Sequence, residues 1–138
     1  MTPHQIELVQ DSFATVAPLG TGVAEIFYGR LFHLDPSLRS LFADDMQTQH
    51  QQLMAMIGIV VKGLTRLDVL VPQVAELGRR HAGYGVQPAH YDTVGAALLW
   101  TLEQGLGDGF TDEVREAWTE AYGVLAQTMM AGAEEMAA

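Results

Sequence analysis

Leu77-Gly78-Arg79-Arg80-His81-Ala82-Gly83-Tyr84-Gly85-Val86 closes one helical pattern and lets the chain turn away from it. Val74, Leu77 and His81 recur at helical spacing, and the glycines at 83 and 85 end the run. A histidine in the last turn of an amphipathic helix can have one ring nitrogen held by a backbone carbonyl one turn earlier, which leaves the other to point into an apolar pocket. Imidazole so aimed is a common metal ligand. Composition alone favours a surface or capping histidine, so the reading turns on whether the flanking sequence builds a pocket around His81.

Outward from this stretch the signals are helical on both sides. Toward the C-terminus, Pro88 opens a helix with Tyr91, Val94, Leu98 and Leu102 in register, closed by Gly105, Gly107 and Gly109. Thr111 caps the next, with Asp112 and Glu113 in the first turn where they favour the helix dipole, followed by Val114, Trp118, Leu125 and Met129. Toward the N-terminus, Leu70-Val71-Pro72 begins the shorter helix that carries His81. Before it, residues 49–64 hold the stripe Leu53, Met56, Ile57, Val60, Val61 and Leu64, an apolar face wide enough to imply burial on more than one side. Residues 43–48 read as loop or weak helix. Asp35-Pro36 stops a helix carrying Val23, Ile26, Phe27, Leu31 and Leu34, and opens a short helical turn over 37–42. At the start, Thr2 caps, Pro3 is the first helical residue and Gln5 completes a capping box ahead of Ile6, Val9, Phe13 and Val16; Pro18-Leu19-Gly20 breaks that helix and Thr21 restarts the pattern. Six sizeable helices and one short one, without strand signals, repeats or a linker, give an all-α chain expected to form a single domain over 1–138. Unequal helices and loops fit crossed-helix packing around a pocket better than an up-and-down bundle.

Composition narrows the chemistry. Seventeen acidic against seven basic residues give a formal charge of -10, which repels phosphate backbones and anionic membranes. No nucleic acid and no membrane is therefore expected as a partner. The absence of cysteine excludes disulfides, thiolate nucleophiles, cysteine zinc sites, iron–sulfur clusters and any cofactor anchored through thioethers. A metal must be held by histidine, carboxylate or a bound cofactor. Apolar residues at 49% and charged ones at 17% mark a globular chain. No run approaches ~18 apolar residues, and Met1-Thr2-Pro3-His4-Gln5 begins a helix rather than a signal segment, so a cytoplasmic protein is expected. His4 and His33 read as surface residues and His90 as a solvated first-turn residue. No two histidines share a paired metal-ligand spacing on one face. Gly105-Leu106-Gly107-Asp108-Gly109 follows a helix rather than a strand and is no dinucleotide loop.

Phe27-Tyr28-Gly29-Arg30-Leu31-Phe32, Leu38-Arg39-Ser40-Leu41-Phe42, residues 49–53, His81 and Ala117-Trp118-Thr119-Glu120-Ala121-Tyr122-Gly123-Val124-Leu125-Ala126 follow one another in an order and spacing that resembles bacterial single-domain globins. The pattern is similar to the haem half of flavohaemoglobins and, more distantly, to neuroglobin-like proteins, and it covers nearly the whole chain. The resemblance implies a globin fold around non-covalent haem b, with His81 as proximal ligand to iron and Phe42 packed flat on the porphyrin. It makes Tyr28 the distal tyrosine and places Gln49, seven residues after Phe42, where a distal glutamine or histidine stands. Both would donate hydrogen bonds to bound dioxygen, while Leu53 walls off water. A core tyrosine and a solvated glutamine are the plainer alternatives. His50, about 100° further around the helix, reaches the iron only if the register slips by one. Leu77, Arg80, Val86, Tyr91 and Val94 complete the implied cofactor contacts. Arg79 and Arg80 either pair with a haem propionate or simply suit the helix C-terminus.

Tyr91 matches a tyrosine that, in flavohaemoglobins, joins a glutamate near the chain end to orient the iron-bound histidine. Here the sequence departs: the glutamate position falls on Ala133, with Glu134 and Glu135 the nearest acids. Reversible ligand binding gains weight over peroxidase-like chemistry. The resemblance thus implies a haem protein of the oxygen-transport type that binds dioxygen, and also NO and CO, as monomer or homodimer. Nitric oxide dioxygenation to nitrate would need an external reductase, since the chain carries no flavin or nicotinamide domain. A haem-based gas sensor acting through a separate partner is the alternative. A cofactor-free helical interaction module is a third reading, and it expects His81→Ala to leave folding nearly intact.

Overall fold

Thr2 Oγ1 accepts the backbone N–H of Gln5, and the Gln5 side chain accepts that of Thr2, so the capping box expected at the start is formed and opens α1 (Pro3–Val16). The computed structural model describes residues 1–137, with side-chain surroundings as far as Glu134. After a 3-10 turn at Ala17–Leu19 come α2 (Thr21–Leu34), a 3-10 segment at Pro36–Leu41, α3 (Gln47–Gly63), α4 (Leu67–Gly83), α5 (Pro88–Leu106), a 3-10 turn at Gly107–Gly109 and α6 (Asp112–Ala137). No strand occurs among the described residues. The fold is all-α, with helices crossing rather than running up and down.

Two details depart from the sequence expectation. The helix carrying His81 is not short and does not begin at Leu70; α4 starts at Leu67 and takes Pro72 into its interior. A proline there forfeits one backbone hydrogen bond and crowds the preceding turn. Burial of Leu70 and Val74 against Met129 of α6 offsets that cost. α3, expected to be buried on more than one side, has Val61 as its one buried residue, and Ile59 is 56% exposed. Its apolar face borders a cavity instead, through Leu53 and Met56.

The main core joins Val9 and Val16 of α1, Val23 of α2, Val61 and Leu64, Leu102 of α5, and Val114, Ala117, Trp118 and Ala121 of α6. Its polar members are satisfied: Trp118 Nε1 donates to Ser12 Oγ at 2.8 Å, and Ser12 donates in turn to the Leu8 carbonyl at 2.7 Å. α4 lies against α6 at backbone contact. A Cβ on Gly78 would collide with the Met129 carbonyl, and one on Gly132 with the Ala75 carbonyl. Only glycine permits this approach, which fixes α4, and His81 near its end, relative to α6. α5 ends where Gly107 adopts φ +54, so it is this glycine that closes the helix, while Gly105 lies inside it against Val16.

Candidate functional site

α4 ends within a turn of His81, and its last turn sets the ring. The Nδ1–H of His81 donates to the Leu77 carbonyl at 2.8 Å. A carbonyl can only accept, so the proton sits on Nδ1 and Nε2 keeps its lone pair. Gly85 adopts φ +92 just beyond the helix, a left-handed turn that lets Val86 return its N–H to the His81 carbonyl.

His81 lines a cavity of about 620 Å³ bounded by α2, the Pro36–Leu41 segment, α3, α4, α5 and α6. That size is typical of a cofactor pocket, roughly 300–1,000 Å³. Every site residue named from the sequence lines it: Tyr28, Phe42, Gln49, Leu53, Leu77, Arg80, His81, Val86, Tyr91 and Val94. Among the described residues no three His, Cys, Asp or Glu side chains gather into a metal cage. A metal here would be held by fewer than three such side chains, and His81 and His90 are the histidines that line the cavity.

Tyr28 is 5% exposed and sits in an aromatic box. Its ring meets Phe27 and Phe42 edge-on, with centroids 4.9 and 5.4 Å away, and stacks with Phe32 at 5.9 Å and with His50 at 5.4 Å. Gln49 Nε2 donates to Tyr28 Oη at 2.9 Å. Burial pushes the Tyr28 phenol up, and the Gln49 hydrogen bond only partly offsets this. The register is thereby decided: Gln49 reaches the cavity and the phenol, whereas His50 lies against the Tyr28 ring. Arg39 steadies the same wall, donating to the carbonyls of Phe42, Ala43 and Asp44 at 3.3, 2.8 and 3.0 Å.

On the α4 and α5 side, Tyr122 Oη donates to the Tyr91 carbonyl at 2.6 Å. Burial raises the Tyr122 phenol well above its ordinary range, with Tyr91 and Asp92 adding to the effect, and burial likewise raises Tyr91. Ala133 is half-buried and Glu134 exposed; among the described side chains no carboxylate bonds to Tyr91 or His81. The Glu135 side chain lies outside the described residues. Arg79 pairs with Glu76 at 2.8 Å and holds its carboxyl below the usual range, while Arg80 stands 3.8 Å from the same carboxylate and lines the cavity.

His90 is a correction. It is half-buried, lines the cavity and takes the Gln87 N–H on Nδ1, rather than being a solvated first-turn residue. Gln52, Met56, Tyr84 and Tyr122 also line the cavity and were not singled out from the sequence. Gln52 and Met56 were reachable, one turn beyond Gln49 and Leu53 on the same helix face. Tyr84 and His90 carry no such signal, because one follows a helix and the other begins one.

The globin family model matches residues 25–129, more than half of the chain. The chain belongs to the globin family. This globin is 36% identical over 131 residues to a flavohemoprotein of Xylella fastidiosa, covering 93% of this chain and 33% of that protein. It is 30% identical over 134 residues to a flavohemoprotein of Bacillus subtilis, covering 95% and 34%. The chain therefore spans about one third of the length of these relatives. Among solved structures, a bacterial globin from Campylobacter jejuni superposes with a TM-score of 0.85 at 25% identity, covering 98% of each chain. An engineered carbene transferase from Rhodothermus marinus superposes at 0.88 with 24% identity, covering 99% of this chain and 95% of that one, a likeness of fold alone. Family membership implies a haem cofactor. Among the described residues no helix is long and apolar enough to cross a membrane.

Proposed function

We propose that this globin holds haem b non-covalently through His81 and reversibly binds dioxygen, with NO and CO as further ligands, inside the cavity that Tyr28 and Gln49 share. The observation that carries the reading is the His81 ring: its Nδ1–H is committed to the Leu77 carbonyl, and its Nε2 lone pair is left at the wall of a cavity of cofactor size. The rest of the lining suits the group. Phe42, Leu53, Leu77, Val86 and Val94 offer apolar contact, and Arg80 offers a cation at the rim. When bound, haem supplies a ferrous iron that takes up diatomic ligands.

The protein's part is to orient, donate and exclude. The Leu77 carbonyl holds the imidazole in one tautomer and makes it a better electron donor. Because Gln49 donates to Tyr28 Oη, the phenol's own O–H remains free to donate to a ligand in the cavity. Burial raises the phenol above its usual range, so it stays protonated at neutral pH and acts as a donor rather than an anion. That preference selects a ligand that gathers negative charge, as dioxygen does, over carbon monoxide. Leu53 narrows access for water.

Nitric oxide dioxygenation is the enzymatic outlet we attach to this reading. One NO, one dioxygen and one electron would give nitrate; the cofactor held by His81 would supply that electron and a reductase would replace it. Absorption spectra test the binding step: a Soret band that moves on dithionite reduction and again on adding CO is expected, and its absence after haem reconstitution overturns the reading. Mixing the dioxygen-loaded protein with NO should yield nitrate within the mixing time; slow or absent nitrate removes the dioxygenase while leaving ligand binding intact.

A further inference from the structure

Two histidines line the cavity, and the backbone sets them in opposite tautomers. His81 Nδ1 faces a carbonyl and so carries the proton. His90 Nδ1 faces the Gln87 N–H at 2.9 Å, a group that can only donate, so Nδ1 keeps its lone pair and the ring proton sits on Nε2. The bond closes a turn at the start of α5, in which the Gln87 backbone carbonyl accepts the backbone N–H of His90 at 3.0 Å. Serving as a metal ligand through Nε2 would move the ring proton to Nδ1, directly against the Gln87 N–H. His90 is therefore a donor at the cavity wall, and no other described group bonds to its ring.

The lining says what it donates to. This chain has seventeen acidic residues, yet among the described residues that bound the cavity there is neither aspartate nor glutamate, while Arg80 is there. Among the described residues, an occupant carrying carboxylates meets donors and one cation there and no acid. We propose that His90, through Nε2–H, binds a carboxylate of the cavity's occupant alongside Arg80. Resting on the haem reading above, that carboxylate is a haem propionate.

His90→Asn separates the two roles of the ring. Asparagine Oδ1 can still accept the Gln87 N–H, as capping asparagines do, but nothing remains at the Nε2 position. Wild type and variant are each loaded with haem and with haem dimethyl ester, whose propionates carry no charge. Loss of each pigment to excess apomyoglobin is then followed by absorbance. Haem should leave the variant roughly three- to tenfold faster, the range expected for losing one partly exposed hydrogen bond to a charged acceptor. The dimethyl ester should leave both proteins at one rate. Equal rates for haem overturn the proposal, as does an equal acceleration for both pigments, which marks lost packing. Because the two pigments are compared on the same variant, a general destabilisation cancels from the ratio. If wild type takes up neither pigment, the haem reading fails and this inference with it; uptake with unchanged haem loss from the variant sinks this inference alone.

Discussion

A buried phenol that already accepts one hydrogen bond has one proton left to give, and Tyr28 is in that position between Gln49 and the cavity. Tyr28→Phe keeps the aromatic box of Phe27, Phe32 and Phe42 but removes the donor and leaves the Gln49 amide without its acceptor. On the proposed function, dioxygen should leave the variant roughly five- to a hundredfold faster, the equivalent of ~1–3 kcal/mol for a buried hydrogen bond. Rapid mixing of the dioxygen form with CO reads that rate, and an unchanged value would reduce Tyr28 to packing. At this scale the sequence was informative where a residue sat inside a periodic stripe or at a helix end. His81 and Leu53 could be placed because helical spacing carries their direction, whereas Tyr28 and Gln49 were placed by the resemblance to bacterial globins. His90 and Tyr84 could not, since a first-turn residue and a loop residue have no neighbours at fixed spacing to say which way they face. Tyr122 escaped for another reason: its partner is a backbone carbonyl 31 positions away, and such a bond leaves no trace in residue type.

Helix existence was legible from stripes and caps, whereas helix edges and degrees of burial answered to tertiary packing. α4 shows this best. Pro72 read as a start signal, and the helix runs past it because Leu70 and Val74 bury against α6. The two glycines that let α4 and α6 touch were also silent in sequence, since neither Gly78 nor Gly132 sits at a turn. Gly78→Ala tests what that contact does. The new methyl meets the Met129 carbonyl, which is backbone and cannot rotate away, so α4 must move outward. Overpacking of this kind costs about 1–3 kcal/mol. Thermal melts should show it, and haem uptake should weaken as well because His81 lies three residues further along the same helix. Gly123→Ala, where an added methyl meets open space inside α6, is the control: it should leave uptake unchanged and raise the midpoint slightly rather than lower it. A Gly78→Ala protein with unaltered melting and uptake would mean that the helix contact does not position the ligand.

For the whole molecule, the buried phenols tie stability to alkaline pH. Tyr28, Tyr91 and Tyr122 are all raised, mainly by burial. Below about pH 10, the ordinary phenol value, these groups are protonated in folded and unfolded chains alike and contribute no slope. Above it the unfolded chain releases their protons first, the native state binds more, and stability falls as pH rises. Tyrosinate absorbance should therefore rise incompletely in the folded protein and finish only as helical circular dichroism collapses. A smooth titration of every tyrosine near pH 10 with the helices intact would contradict the burial of Tyr28 and Tyr122.

The cavity makes a second demand on the whole molecule. About 620 Å³ inside a chain of 138 residues removes much of the contact that a filled core would provide. α2, α3, α4 and α5 all meet at that space, so its occupant acts as a missing piece of core as well as a reactive group. A ligand that binds only the native state stabilises it by mass action, about 4 kcal/mol at a thousand times its dissociation constant. For a domain of this size that corresponds to a melting shift of roughly 10–20 °C. Haem added to the cofactor-free protein should raise the midpoint by that order. His81→Ala should abolish most of the gain while leaving the cofactor-free midpoint nearly unchanged, because the His81 ring is half-buried and bonded only within its own helix. If haem leaves the wild-type midpoint where it was, the cavity is not a haem site, and the globin fold in this chain serves another occupant.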